Sequence, residues 1–94
     1  LAMDTNNYSA LLNRAIACLG CDKLDAAQRD YGVLQKAFPT AYQIYYGLGE
    51  IAWRKKETNA AIRNYQLYQG NAPTNTAEAK LVSARLEELK SGSH

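Results

Sequence analysis

Apolar residues recur at intervals of three and four along almost the whole chain, which is the spacing of amphipathic helices. The clearest stripe consists of Leu24, Ala27, Tyr31, Leu34 and Phe38. Proline and glycine interrupt the pattern at intervals, and no segment alternates apolar and polar residues as a half-buried strand does. The pattern predicts an all-α fold of five helices joined by short turns.

The first two helices are bounded by residues that favour helix ends. The first is expected between Asn7 and Gly20, with Asn6 or Asn7 as its N-cap, and the second runs from Leu24 until Pro39 stops it.

Capping signals also predict where the later helices begin. Thr40 followed by Gln43 has the spacing of a capping box and predicts the start of the third helix. The fourth helix is expected from about Thr58. Asn75 followed by Glu78 repeats the capping pattern and predicts the start of the fifth helix.

Several residue types recur at a separation of 34 positions. The pairs with this separation are Tyr8 and Tyr42, Ala26 and Ala60, Ala27 and Ala61, Tyr31 and Tyr65, and Pro39 and Pro73. A fixed period of this size is typical of helix–turn–helix units that cannot bury their apolar faces alone. Such units stack, and the stack has an extended surface suited to binding.

Aligned on Pro39 and Pro73, the two units resemble tetratricopeptide repeats, a family with a 34-residue motif of two antiparallel helices. The second unit matches at Tyr45, Leu48, Gly49, Ala61, Tyr65 and Pro73. The first matches at Leu11, Ala15, Ala27, Tyr31 and Pro39, with Arg14 where the motif has leucine. Small residues at Ala15, Ala27, Gly49 and Ala61 are expected to let the helices approach closely, with the two tyrosines filling the neighbouring space.

The resemblance implies an α-solenoid with a right-handed superhelix. It places the repeats at residues 6–39 and 40–73 and a closing helix at 74–90. This last helix also resembles the first helix of a third repeat. Residues 1–5 fit the end of a preceding repeat, so the chain looks like the C-terminal end of a longer array. The sequence of residues 91–94 looks like an artificial tail.

The same resemblance implies a non-catalytic scaffold that binds a peptide or helix of another protein in a concave groove. The residues at the corresponding groove positions are Leu12, Ile16, Gln43, Tyr46, Glu50, Trp53 and Arg54, and Lys80 of the final helix is expected to contribute as well. Family members that clamp acidic tails have lysine and asparagine at the places of Leu12 and Ile16. An amphipathic helix or an extended peptide is the expected ligand instead.

Self-association is the alternative function. Leu34 and Tyr68 stand where the motif usually has a small residue, at the seam between repeats. Copies of the chain are then expected to associate through the larger side chains at that seam. A second route is an apolar face at Leu11, Leu12 and Ile16.

Composition and charge exclude other classes of protein. The net charge of +2 is too small to suggest a nucleic-acid partner. The one basic cluster, Arg54-Lys55-Lys56, is explained by the negative pole at a helix end. No apolar run approaches the roughly 20 residues that span a membrane. No signal peptide is visible at Leu1, and we expect a cytoplasmic location.

Catalytic, metal and cofactor chemistry have little support. Cys18 and Cys21 form a Cys-x-x-Cys pair, but at the end of a helix, where the dipole disfavours a thiolate. The only histidine is His94, so zinc lacks ligands. We expect Cys18 to pack as a small apolar residue and Cys21 to lie beside the turn, although thiol chemistry stays open. The carboxylates Asp22, Asp25, Asp30, Glu87 and Glu88 are expected on turns and solvated faces.

Overall fold

The computed structural model describes residues 5–91, and over this range the chain folds into five α-helices. They are α1 (Thr5–Gly20), α2 (Leu24–Ala37), α3 (Tyr42–Arg54), α4 (Thr58–Asn71) and α5 (Ala77–Lys90). No strand occurs among the described residues, and consecutive helices pack against each other. The all-α fold with repeat-like packing is confirmed. The segments 1–4 and 92–94, with their predicted roles, lie outside the described residues.

The two helix–turn–helix units share a pattern of backbone hydrogen bonds. In the first unit the Lys23 N–H donates to the Cys18 carbonyl at 2.8 Å, and 34 residues later the Glu57 N–H donates to the Ala52 carbonyl at 2.9 Å. This bond ends a helix in the manner of a Schellman motif and reverses the chain within a few residues. The period read from side chains is therefore also present in the backbone.

The hydrophobic core consists of two clusters that meet at α3. The first joins α1, α2 and one side of α3, where Ile44 and Ile51 lie. The second joins α4, α5 and another side of α3, where Tyr45 and Ala52 lie. Because α3 contributes to both clusters, each unit buries apolar surface that it could not bury alone.

Glycine allows α3 to approach tyrosine rings closely. A Cβ atom at Gly49 would lie 2.6 Å from the ring of Tyr65, and one at Gly47 would overlap the ring of Tyr31. The residues that the motif reserves for small side chains in α1, α2 and α4 are fully buried, namely Ala15, Ala27 and Ala61. The expected close packing at these positions is confirmed, and Gly47 adds a contact that the motif did not indicate.

The predicted capping box at the start of the third helix is wrong. The Ala41 N–H donates to the Phe38 carbonyl at 3.1 Å, which closes a turn that has Thr40 at its third position. Helix α3 begins only at Tyr42, and its N-cap, Ala41, makes no side-chain capping bond. Thr40, which was expected to cap the helix, lies instead within the turn that contains Pro39.

Two other predicted N-caps are also displaced. Helix α1 begins at Thr5, so Asn6 and Asn7 lie within it. Helix α5 is capped by Thr76, whose hydroxyl oxygen accepts a hydrogen bond from the Ala79 N–H at 3.0 Å. A threonine with extended backbone is a good N-cap, and it replaces Asn75 in this role.

Candidate functional site

The predicted groove lies on the first helices of the two repeats, α1 and α3. Arg54 donates a hydrogen bond from Nη1 to the Leu19 carbonyl at 2.6 Å, which brings the C-terminal ends of these helices together. The two helices are also in contact with each other. Residues 34 positions apart, such as Leu12 and Tyr46, correspond across the pair.

The predicted groove residues differ widely in their exposure to solvent. Ile16 is 51% exposed, the highest value among the exposed large apolar residues of the described chain, ahead of Val33 at 47%. Gln43, Arg54 and Lys80 are also exposed, Leu12, Tyr46 and Trp53 are partly buried, and Glu50 is buried. Most of the set is therefore accessible on the surface, and Glu50 is the exception.

Glu50 does not face a partner as the resemblance implied, because its carboxylate is bound within the chain. Only 5% of the residue is exposed. Its Oε1 atom accepts a hydrogen bond from the Tyr65 hydroxyl at 2.7 Å and forms an ion pair with Arg85 Nη1 at 2.8 Å. Burial raises the pKa of Tyr65, and the hydrogen bond to Glu50 adds to that effect. Glu50 thus ties α3 to α4 and α5.

Trp53 and Tyr46 each pack against a neighbouring helix and stay partly exposed. The guanidinium carbon of Arg85 lies 4.4 Å from the centroid of the Trp53 ring, the geometry of a cation–π contact. The Tyr46 ring lies 5.9 Å from that of Tyr68, and burial raises the pKa of Tyr46. These contacts fix both aromatic rings on the α3 surface.

The basic cluster at the end of α3 makes contacts with the first repeat. Arg54 lies 3.5 Å from Asp22, and Lys55 Nζ lies 2.9 Å from Asp25. Lys55 also donates to Gln28 at 3.0 Å, and its hydrogen bond lowers the pKa of Asp25. These exposed pairs link the units, although pairs of this kind add little stability.

Arg14, which replaces the leucine of the motif, forms a two-bond pair with Asp30. Its Nε and Nη2 atoms each donate to one carboxylate oxygen at 2.8 Å. The hydrogen bond lowers the pKa of Asp30, a residue that is only 7% exposed. The prediction that Asp30 lies on a solvated face is therefore wrong, and the pair joins α1 to α2.

Clefts occur at other places on the described surface. One of about 230 Å³ lies between α2, α3 and α4, with Gln35, Arg63 and Leu67 among its lining residues. Another of about 470 Å³ lies along α1 at Leu11 and Arg14, and a third of about 120 Å³ separates α4 from α5. None of the predicted groove residues lines any of these three clefts.

The seam expected to support self-association is occupied within the chain. Leu34 is fully buried and Tyr68 is 1% exposed. Glu78 was expected to cap α5, but its carboxylate accepts a hydrogen bond from the Tyr68 hydroxyl at 2.9 Å. Leu34 is covered by the first cluster and Tyr68 by the second, which includes α5, so neither seam residue is accessible to a second copy.

One side of α1 is less apolar than the corresponding side of α3. Ile44 and Leu48 pack α3 against the first cluster. The residues 34 positions earlier are Ala10 and Arg14, which are both exposed. The α1 surface thus has small and charged residues where α3 has aliphatic ones.

Both cysteines are free thiols in different surroundings. Cys18 is partly buried and packs against the first cluster, as predicted. Cys21 is exposed at the turn. Within residues 5–91, no group of three or more histidine, cysteine or acidic side chains is arranged to hold a metal ion; His94 lies outside this range. No helix in the described part of the chain has the length and apolar character to cross a membrane.

Comparison with protein families, with characterised proteins and with solved structures found no match to this chain. The repeat-like architecture consequently rests on the chain's own period and packing.

Proposed function

We propose that this chain is a non-catalytic protein-binding module of the tetratricopeptide-repeat kind. Its binding face is the surface formed by α1 and α3. The observation that carries the proposal is the 51% exposure of Ile16 on the face that also bears Leu12, Tyr46 and Trp53. One exposed and three partly exposed apolar side chains gathered on one face are typical of an interaction surface.

The types of residue on this face support the proposal. Tyrosine, tryptophan and arginine dominate the energetically important positions of protein interfaces. Tyr46 and Trp53 are partly exposed, and Arg54 is exposed at the end of the same helix. Their rings are held by intramolecular contacts, so little side-chain entropy is lost when a partner binds.

The family assignment is supported by packing at the motif positions. Gly49 lies against the ring of Tyr65, and Ala27 and Ala61 are fully buried. These are the contacts that the tetratricopeptide motif requires of residues with this spacing.

The charge of the face indicates which class of segment fits it. The carboxylate of Glu50 is paired with Arg85, so it places no free charge among the apolar residues. Gln43 and Arg54 of α3 add exposed polar groups, and Lys80 of α5 is exposed as well. An amphipathic helix or an extended peptide with apolar side chains toward Leu12 and Ile16 satisfies this arrangement.

Affinity capture from a lysate of source cells, run with matched surface variants, tests the proposal. Ile16→Lys places a charge on the proposed face, and Val33→Lys places the same charge at a residue of similar exposure, 47%, on α2. We expect a protein that is retained by the wild type and by Val33→Lys and is lost with Ile16→Lys. A partner retained equally by all three proteins would contradict the proposed face.

A third variant distinguishes this face from the cleft between α2 and α4. Leu67 lines that cleft and is 39% exposed. A partner lost only with Leu67→Lys would assign binding to the cleft. If the wild-type mass instead rises with concentration and Ile16→Lys abolishes that rise, the face serves self-association.

A further inference from the structure

Arg85 connects α5 to Trp53 of the proposed binding face and to Glu50, which is buried beside it. Its Nη1 atom forms an ion pair with Glu50 Oε1 at 2.8 Å, and the side chains of the pair are 20% and 7% exposed, respectively. The same guanidinium lies over the Trp53 ring at 4.4 Å, and its Nη1 atom is 3.4 Å from the Tyr65 hydroxyl. Residues from three helices therefore meet at one cation.

We propose that Arg85 is a positioning residue of the binding face, acting through Trp53 and Glu50. It fixes the orientation of the tryptophan ring and cancels the charge of the buried carboxylate. In this view α5 completes the binding face in addition to covering the end of the core. The inference rests on the proposed function for the use of that face, but the arrangement itself is testable in the free protein.

The chemistry of the guanidinium explains why arginine suits this position. Its planar group donates hydrogen bonds in the plane while its face stacks on an aromatic ring. Lysine can supply the positive charge but not this combination of contacts. A carboxylate as buried as Glu50 also requires a partner, because an unpaired charge in such a place is strongly destabilising.

Comparison with the preceding repeats shows that Arg85 is particular to α5. The residues 34 and 68 positions earlier are Ile51 and Ala17. Ile51 is buried in the first cluster, Ala17 is exposed, and neither of them carries a charge. A cation in the same place on α5 therefore departs from the repeat and serves the pair with Glu50.

Fluorescence tests the inference directly, because Trp53 is the only tryptophan in the chain. The probes are iodide and caesium ions, which quench an accessible tryptophan and report the sign of nearby charge. In Arg85→Met we expect a red-shifted emission and a fall in the ratio of iodide to caesium quenching, because Glu50 becomes uncompensated. Arg85→Lys should keep the quenching ratio close to that of the wild type and still shift the emission.

The double variant Glu50→Gln with Arg85→Met separates charge from orientation. It leaves no unpaired buried charge, so it also serves if Arg85→Met alone fails to fold. We expect its quenching ratio to return toward the wild-type value and its emission to stay shifted. Arg63→Met removes an exposed arginine of α4 and should change neither signal.

Wild-type emission and quenching in a folded Arg85→Met protein, or in the folded double variant, would overturn the inference. That outcome would leave the binding face itself untouched. Conversely, failure of the capture experiment would not alter the fluorescence result, so the two proposals fail separately.

Discussion

Asp22 and Lys56, which lie 34 residues apart, have the same left-handed backbone conformation, with φ of 62° in each. Each follows the first helix of its unit and precedes the residue whose N–H closes the turn. Glycine is the usual residue at this position because a Cβ atom disfavours positive φ. Both turns thus keep a tight reversal at the cost of strain in a non-glycine residue.

Replacing Lys56 with glycine should stabilise the protein. Relief of the left-handed conformation exceeds the extra entropy of glycine in the unfolded chain, and we expect a gain of up to about 1 kcal/mol in the free energy of unfolding. Denaturant unfolding measures it. Lys56→Ala keeps the strained backbone and should show no such gain; a glycine variant less stable than the wild type would contradict the account of the turn.

The effect of replacing a helical glycine on stability should depend on which atoms a new side chain would meet. Gly47→Ala places a methyl group against the ring of Tyr31 and should lower the free energy of unfolding by about 1–3 kcal/mol. A Cβ atom at Gly32, within α2, would meet no packing neighbour within 4 Å. Gly32→Ala is therefore the matched control and should raise stability by about 0.5–1 kcal/mol. Equal thermal shifts in the two variants would mean that the packing of Tyr31 is misassigned.

The pair of Arg14 and Asp30 should make stability depend on acid pH. Its hydrogen bond lowers the pKa of Asp30 below the ordinary value of 3.8. The resulting stabilisation is present above that value and is lost as the pH falls through the pKa of the folded state. At neutral pH we expect Asp30→Asn to have a lower free energy of unfolding than the wild type. As the pH falls below about 4, the free energy of the variant should decline less than that of the wild type.

Asp25→Asn is the comparison variant for that measurement. Asp25 also has a lowered pKa, through its hydrogen bond with Lys55, but its side chain is 89% exposed. Salt screens such a pair strongly, so its effect should fade at high ionic strength more than that of Asp30. Superimposable acid profiles for the wild type and Asp30→Asn would rule out a role for the Arg14 pair.

The two cysteines should react at different rates with an alkylating reagent. Cys21 is exposed, whereas Cys18 is partly buried against the first cluster. In the native protein we expect Cys21 to be modified quickly and Cys18 to react slowly or only after unfolding. Mass spectrometry of digested samples identifies each modified site. Faster modification of Cys18 than of Cys21 would contradict the packing of α1.

Helix positions and the repeat could be predicted because they depend on local spacing. Helix α4 begins at Thr58, and α1 ends at Gly20, as expected. The start of α3 could not be predicted from its capping pattern, because the hydrogen bond from the Ala41 N–H to the Phe38 carbonyl forms a turn that includes Thr40. Capping motifs compete with neighbouring turns, and the sequence alone does not say which of them forms.

The candidate face was only partly predictable for a related reason. Its helix positions follow from the repeat, and Ile16 is exposed as expected. Glu50 is buried because Arg85, 35 residues away, reaches it from another helix. No periodic pattern marks such a pair, because it depends on the lengths and directions of two side chains after the helices have packed.

The sequence by itself determined the five helices, the period of 34 residues and the small residues at helix crossings. Those features arise from hydrophobic spacing and from steric size, which are local properties of the chain. Only the tertiary structure decided that Arg14 pairs with Asp30 and that Arg85 meets Glu50 and Trp53. Ionic and aromatic contacts between helices depend on how the folded units are placed, and that placement is fixed by the packing of the whole core.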